Sequence, residues 1–149
     1  MGFSGSQEGM TPAQLAAVRA EVYRVEPAAA DHGDCIGADK QFDDIIEGVP
    51  WQVYKTLHPS NIRKKRAYCK GHSLREPLPP LERNMNIVRE TGYLVATPKE
   101  PQEVLRSGTG STIRRARKYG NPYVVIGPDG SILEGELYNN SESPCLLEL

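Results

Sequence analysis

Short apolar runs alternate with stretches of helical period along this chain, and that alternation leaves few folds open. Gly2–Gly5 is a very short first strand. Thr11 follows as a helix N-cap with Pro12 at the first helical position, and Leu15, Val18, Val22 and Val25 repeat at helical spacing. The first helix therefore runs from Pro12 to Val25, and Pro27 ends it. Ala28–His32 reads as a short second strand, Gly37–Glu47 as a second helix, and the alternating Trp51–Leu57 as a third strand. Residues 58–80 form a long irregular stretch ending in Pro77, Pro79 and Pro80. Beyond it come a helix over Leu81–Thr91, a strand over Tyr93–Thr97, a helix over Ser111–Tyr119 and a strand over Tyr123–Ile126. Ser131–Leu137 supplies a final short strand. Tyr93–Thr97 is nearly all apolar, as a strand covered on both faces must be. Strands alternating with helices predict an α/β three-layer sandwich: a central parallel sheet of about five strands with helices on both faces.

The 149 residues suit one domain over residues 1–138, followed by a C-terminal tail over residues 139–149. Hydrophobic residues make up 38% of the chain, enough for a single core. The net charge of −1 argues against a polybasic membrane binder and makes nucleic acid an unlikely partner. No apolar run approaches the roughly 18 residues of a membrane span, and no secretory signal is visible. Cys35, Cys69 and Cys145 are far apart and form no Cys-x-x-Cys pair, which fits a reducing, cytoplasmic setting. No metal-ligand spacing such as His-x-x-x-His is present, so no metal is expected.

In a parallel sheet ligands bind beyond the carboxyl ends of the strands, so the residues after each strand are the informative ones. Gly5-Ser6-Gln7-Glu8-Gly9 follows the first strand. His32-Gly33-Asp34-Cys35-Ile36-Gly37-Ala38-Asp39 follows the second. Thr97-Pro98 and then Arg106-Ser107-Gly108-Thr109-Gly110-Ser111-Thr112 follow the strand at Tyr93–Thr97. All three loops are rich in glycine and hydroxyls, and each opens onto a helix N-terminus, where free N–H groups favour an anion. One such loop reads as turn geometry and helix capping; three at one edge describe a phosphate cradle. Neither Gly-x-x-x-x-Gly-Lys-Ser/Thr nor Gly-x-Gly-x-x-Gly occurs, which removes support for P-loop hydrolysis and for NAD. Arg83 and Asn84 read either as a solvated helix face or as an arginine for a phosphate and an asparagine for a base or backbone. Asp34 and Asp39 are candidate general bases or ribose ligands, or caps of the second helix. His32 and His58 follow strands and stand to meet at the ligand edge. Cys35, near a helix start, is either activated or a small packing residue. Six of the 18 basic residues lie between Arg63 and Arg75, a solvated loop or a mobile lid over an anion.

In this order, "GFSGSQEGMTPAQ", "HGDCIGAD", "LHPSN", "LPPLERNMNIV", "YLVATP" and "RSGTGSTIRRARKYGNPYVVI" resemble the SLOG superfamily of Rossmann-like nucleotide-binding proteins. That superfamily includes DNA-processing protein A and the LONELY GUY phosphoribohydrolases, also called lysine decarboxylase-like proteins. The resemblance covers Gly2 to Ile126 and looks nearest to small bacterial and phage members. It implies a nucleotide-type ligand at the loop edge. Gly5 and Ser6 match the first-loop element; Gly33, Gly37, Ala38 and Asp39 the second; Arg83 and Asn84 the "RN" element; Gly108 to Thr112 the phosphate loop. The phosphoribohydrolases carry Pro-Gly-Gly-x-Gly-Thr-x-x-Glu with a catalytic Glu, whereas here the Pro-Gly pair is missing and Arg114 stands at the Glu position. The expected function is binding of a nucleotide or phosphorylated small molecule by Gly5, Ser6, Gln7, Gly33, Asp34, Gly37, Ala38, Asp39, Arg83, Asn84, Thr97, Pro98 and the run Gly108, Thr109, Gly110, Ser111 and Thr112. The alternatives are an N-glycosidic hydrolase using Asp34 or Asp39, and a DNA-contacting accessory protein using Arg63 to Arg75. Beyond the nucleotide no cofactor is expected. Relatives self-associate, so a homodimer or higher homo-oligomer is anticipated, with Cys145-Leu146-Leu147 as a contributor.

Overall fold

The computed structural model describes residues 1–102 and 107–140. Arg106 and Cys145-Leu146-Leu147 lie outside them, as does most of the expected tail. The elements run β1 (Gly2–Gly5), α1 (Pro12–Val25), β2 (Ala29–His32), α2 (Ala38–Gly48), β3 (Tyr54–Leu57), β4 (Ser73–Leu74), α3 (Pro80–Glu90), β5 (Leu94–Thr97), α4 (Gly108–Tyr119), β6 (Tyr123–Ile126) and β7 (Ile132–Gly135). They build one sheet in the order β4-β3-β2-β1-β5-β6-β7. The first six strands are parallel and β7 runs antiparallel to β6. This is a Rossmann-like α/β sandwich. The chain winds outward from β1 to β4, then returns to place β5 beside β1. The strand order reverses there, and such a reversal opens a crevice at the carboxyl edge.

Local chemistry explains most of the elements. Thr11 and Gln14 form a reciprocal capping box that starts α1 behind Pro12. Gly120, in a left-handed conformation, ends α4. Most boundaries fall within two residues of the sequence reading; three features differ from it more. The sheet has seven strands in place of about five. The extra β4 is two residues long and exists only because Ser73 and Leu74 pair with Thr56 and Leu57; no local apolar pattern announces it. The third strand begins at Tyr54, because the Trp51 indole N–H turns back to the Pro27 carbonyl at 3.0 Å. Finally, α4 begins at Gly108, since the Ser107 hydroxyl accepts from the Gly110 N–H and caps a helix that the glycines concealed.

Both faces of the sheet are covered. Phe3, Ala30, Val95 and Val124 meet Val18 and Val22 of α1 and Phe42 and Ile46 of α2. The Phe3 and Phe42 rings stack at 4.5 Å. On the other face Leu94 packs with Ile87, Val88 and Ala116, while Ala96 and Val125 pack with Ile113. Among the described residues no helix is long and apolar enough to cross a membrane.

One buried polar cluster joins α2 to the sheet. Asp43 receives the Lys55 ammonium at 3.0 Å and lies 2.8 Å from His32 Nε2. Burial alone would raise the Asp43 carboxyl, but the hydrogen bonds from His32 and Lys55 outweigh it and hold the group below its usual range. A carboxylate depressed by folding stabilises the fold above its unfolded pKa, and that stability is lost as pH falls through the folded value. Asp43→Ala is therefore expected to cost about 3 kcal/mol at neutral pH. The deficit should begin to shrink below about pH 4, where the unfolded chain takes up the proton first, and go on shrinking as pH falls through the lower native value. Urea denaturation at a series of pH values measures both.

Candidate functional site

A cavity of about 960 Å³ lies at the carboxyl ends of β1 and β5. Its walls come from elements far apart in sequence. Ser4 and Gly5 end β1, and Ser6, Gln7 and Glu8 continue the wall. Gly33, Cys35 and Asp39 come from the β2–α2 turn and the start of α2. Arg83, Asn84 and Ile87 come from α3, and Pro98 to Gln102 from the segment after β5. Ser107 to Ser111 supply the cap and opening turn of α4. Of the residues expected at a ligand site, twelve line this cavity: Gly5, Ser6, Gln7, Gly33, Asp39, Arg83, Asn84, Pro98, Gly108, Thr109, Gly110 and Ser111. Asp34, Gly37, Ala38, Thr97 and Thr112 stand behind the wall and support it.

Arg83 organises this edge. It is 9% exposed. Its Nη1 donates to the Gly33 carbonyl at 2.7 Å and to the His58 carbonyl at 3.3 Å, and its Nε donates to Asn84 Oδ1 at 2.8 Å. The Asn84 amide donates in turn to the Gly108 carbonyl. One guanidinium thus links β2, β3, α3 and α4. A Cβ at position 33 would stand 2.4 Å from Arg83 Nη1 and would displace the guanidinium from its carbonyl partners. Gly5 and Gly37 are also demanded by packing. A Cβ on Gly5 would strike Ala38 and Thr97, and one on Gly37 would strike the Gln7 carbonyl, with φ at +88° as a further bar. Gly108 differs: among the described residues a Cβ there meets nothing within 4 Å. It opens α4 at the cavity wall.

Asp39 and Asp34 have separate environments. Asp39 lines the cavity, buried, with Oδ2 accepting from the Cys35 N–H at 3.2 Å. Burial pushes its carboxyl above the usual range, and His32 and Arg83 only partly offset this. Asp34 is fully buried, with φ at +51°. It accepts from Arg66 Nη2 at 3.0 Å and from the Cys69 N–H at 2.8 Å, while its own carbonyl accepts from the Ala67 N–H. Arg66 also lies over the Tyr68 ring at 4.4 Å. The basic segment is thereby fastened to the β2–α2 turn, and from its basic run Lys65 reaches the cavity.

His32 and His58 do not meet. His32 turns toward Asp43 of α2 on one face of the sheet, whereas His58 bonds Asp31, which shares the other face with Glu90 of α3. Burial raises the Cys35 thiol, so it is a poor nucleophile. Sequence reasoning missed several lining groups. Ser60 comes from the irregular stretch. Lys99 pairs with Glu8 at 2.8 Å across two walls of the cavity. Arg115 donates to Ser111 at 2.6 Å. The helical spacing of Ser111 and Arg115 was a usable signal for the last; nothing local signals the other two.

No family model and no curated protein matches this chain. Among solved structures it is similar to the molybdenum cofactor binding protein from the phototrophic bacterium Rippkaea orientalis. The TM-score is 0.62 at 18% identity, over 85% of this chain and 74% of that one. The likeness is one of fold.

Two predictions follow from these carboxylates. Asp34→Ala removes the anchor of the basic segment and leaves Arg66 without its partner, so it should cost about 3 kcal/mol in chemical denaturation. Asp39 has its pKa raised by folding, so its ionisation opposes folding as pH climbs above the unfolded value. Asp39→Asn should therefore look more favourable, relative to the native protein, at pH 7 than at pH 4. Differential scanning calorimetry at the two pH values reads the change.

Proposed function

We propose that the cavity binds a nucleotide or nucleotide-derived ligand, with a phosphate on the opening turn of α4. The observation that carries this reading is the junction at Gly108. There a capped helix presents first-turn N–H groups at a cavity wall, where a Cβ on Gly108 would meet nothing within 4 Å among the described residues. Arg83 and Lys65 add positive charge to the same cavity. Its volume of about 960 Å³ is far more than one phosphate fills and suits a larger phosphorylated molecule. The similarly folded protein binds a molybdenum cofactor, which is in keeping with a fold that accepts a ligand of this size.

A second reading, hydrolysis of a nucleotide N-glycosidic bond, is favoured by Asp39. Its carboxyl lines the cavity and is shifted toward the protonated form by burial, as suits a group that takes and returns a proton. Arg114 at the position of the family's catalytic Glu counts against it.

A thermal-shift panel of mono-, di- and triphosphates, cyclic nucleotides, ADP-ribose and a pterin phosphate tests binding. A ligand at about 100 times its Kd adds about 2.7 kcal/mol, a rise of several degrees for a domain of this size. Gly108→Val should abolish that rise while changing the stability of the free protein by no more than about 0.5 kcal/mol. A flat panel, or a rise that survives Gly108→Val, overturns the assignment. Release of free base from a nucleoside monophosphate, lost in Asp39→Ala, would establish hydrolysis.

A further inference from the structure

Away from the cavity, two clusters of metal-ligating side chains occur among the described residues: His32 with Asp43 and Cys69, and Asp31 with His58 and Glu90. In each, one donor atom per residue lies within 4.8 Å of the others. Their hydrogen bonding separates them. His32 Nδ1 accepts from the Asp34 N–H at 2.9 Å, which fixes the ring proton on Nε2, the nitrogen facing Asp43. Lys55 already neutralises Asp43, and burial pushes the Cys69 thiol up to about 12. That cluster offers a cation neither an imidazole lone pair nor a thiolate.

The Asp31–His58–Glu90 cluster has the opposite character. His58 is 2% exposed, and its Nδ1 is buried with no hydrogen-bond partner. Asp31 holds the ring proton on Nε2 in the free protein, but no N–H donor occupies Nδ1 as one does in His32, so a cation binding at Nε2 can displace the proton to Nδ1. Asp31 Oδ2 lies 2.8 Å from Nε2 and Glu90 Oε2 lies 3.4 Å from it. Two carboxylates thus converge on a nitrogen that has at most one proton to share. Ligands about 2.0–2.1 Å from a tetrahedral zinc ion stand about 3.3 Å apart; the Glu90–His58 separation is already close to that, and Asp31 Oδ2 at 2.8 Å need withdraw by only about 0.5 Å.

We propose that Asp31, His58 and Glu90 bind a divalent cation of the zinc type, with the fourth position left to water. The buried Asp31 and His58 form the floor, and the partly exposed Glu90 gives access from solvent. The cation would brace the C-terminal end of α3 against β2 and the end of β3. Arg75 Nε reaches the same Glu90 oxygen at 3.3 Å from an exposed position, so it competes with the cation for that ligand.

The test is calorimetric titration of untagged, chelator-stripped full-length protein with zinc chloride, and cobalt(II) absorption as a spectroscopic readout. One ion per chain is expected. Glu90→Gln should weaken binding by at least about tenfold. Arg75→Ala should tighten it, and this variant keeps the test readable should Glu90→Gln fold poorly. Cys69→Ser should leave it unchanged. Absence of stoichiometric uptake overturns the proposal. So does an affinity indifferent to both Glu90→Gln and Arg75→Ala, or one lost in Cys69→Ser, which would place the ion in the other cluster.

Discussion

A buried guanidinium sets the geometry of the whole carboxyl edge. Burying a cation is costly unless every donor direction finds an acceptor. Arg83 answers much of that demand through Nη1, which donates to the carbonyls of Gly33 and His58, and through Nε, which donates to the Asn84 side chain, itself bonded on to Gly108. These partners come from the ends of β2 and β3 and from α3 and α4. The requirement to satisfy one charge therefore holds four elements in register around a single cavity. It also favours a residue type: the guanidinium occupies the space that a Cβ on Gly33 would take.

Neighbouring acidic residues show how position decides chemistry. Asp31 and His32 are adjacent in β2, and strand alternation turns them to opposite faces of the sheet. Asp31 meets His58 near α3, while His32 meets Asp43 of α2. Asp34, on a turn with positive φ, becomes an anchor for the basic segment. Asp39, in the first turn of α2, lines the cavity with its pKa raised by burial. Asp31, Asp34 and Asp39 thus take different roles within nine residues. Intrinsic acidity does not separate them; burial and partners do.

Much of the fold was legible in the chain. α1 was readable end to end because Thr11, Pro12 and the apolar period agree. β5 and β6 were readable because short apolar runs bounded by polar turns have few other uses. β4 was not, since a two-residue strand has no period and depends wholly on its neighbour. The start of α4 was not, because glycines at 108 and 110 suppress helix propensity while the Ser107 cap and tertiary packing override it. The glycine- and hydroxyl-rich loops gather at the edge of the sheet where the cavity lies. They did not reveal which members line the space and which stand behind it.

The sequence by itself determined the class of fold, the alternation of elements and the edge at which polar loops gather, because these follow from local periodicity and capping. Only the tertiary structure decided that Arg83 is a buried tie, that Asp34 is an anchor rather than a cavity group, and that Asp31, His58 and Glu90 converge. Those assignments rest on contacts between residues 25 to 59 positions apart, as between Arg83 and His58 or Asp31 and Glu90. No local pattern encodes such pairings, since they form only when the sheet brings separate strands side by side.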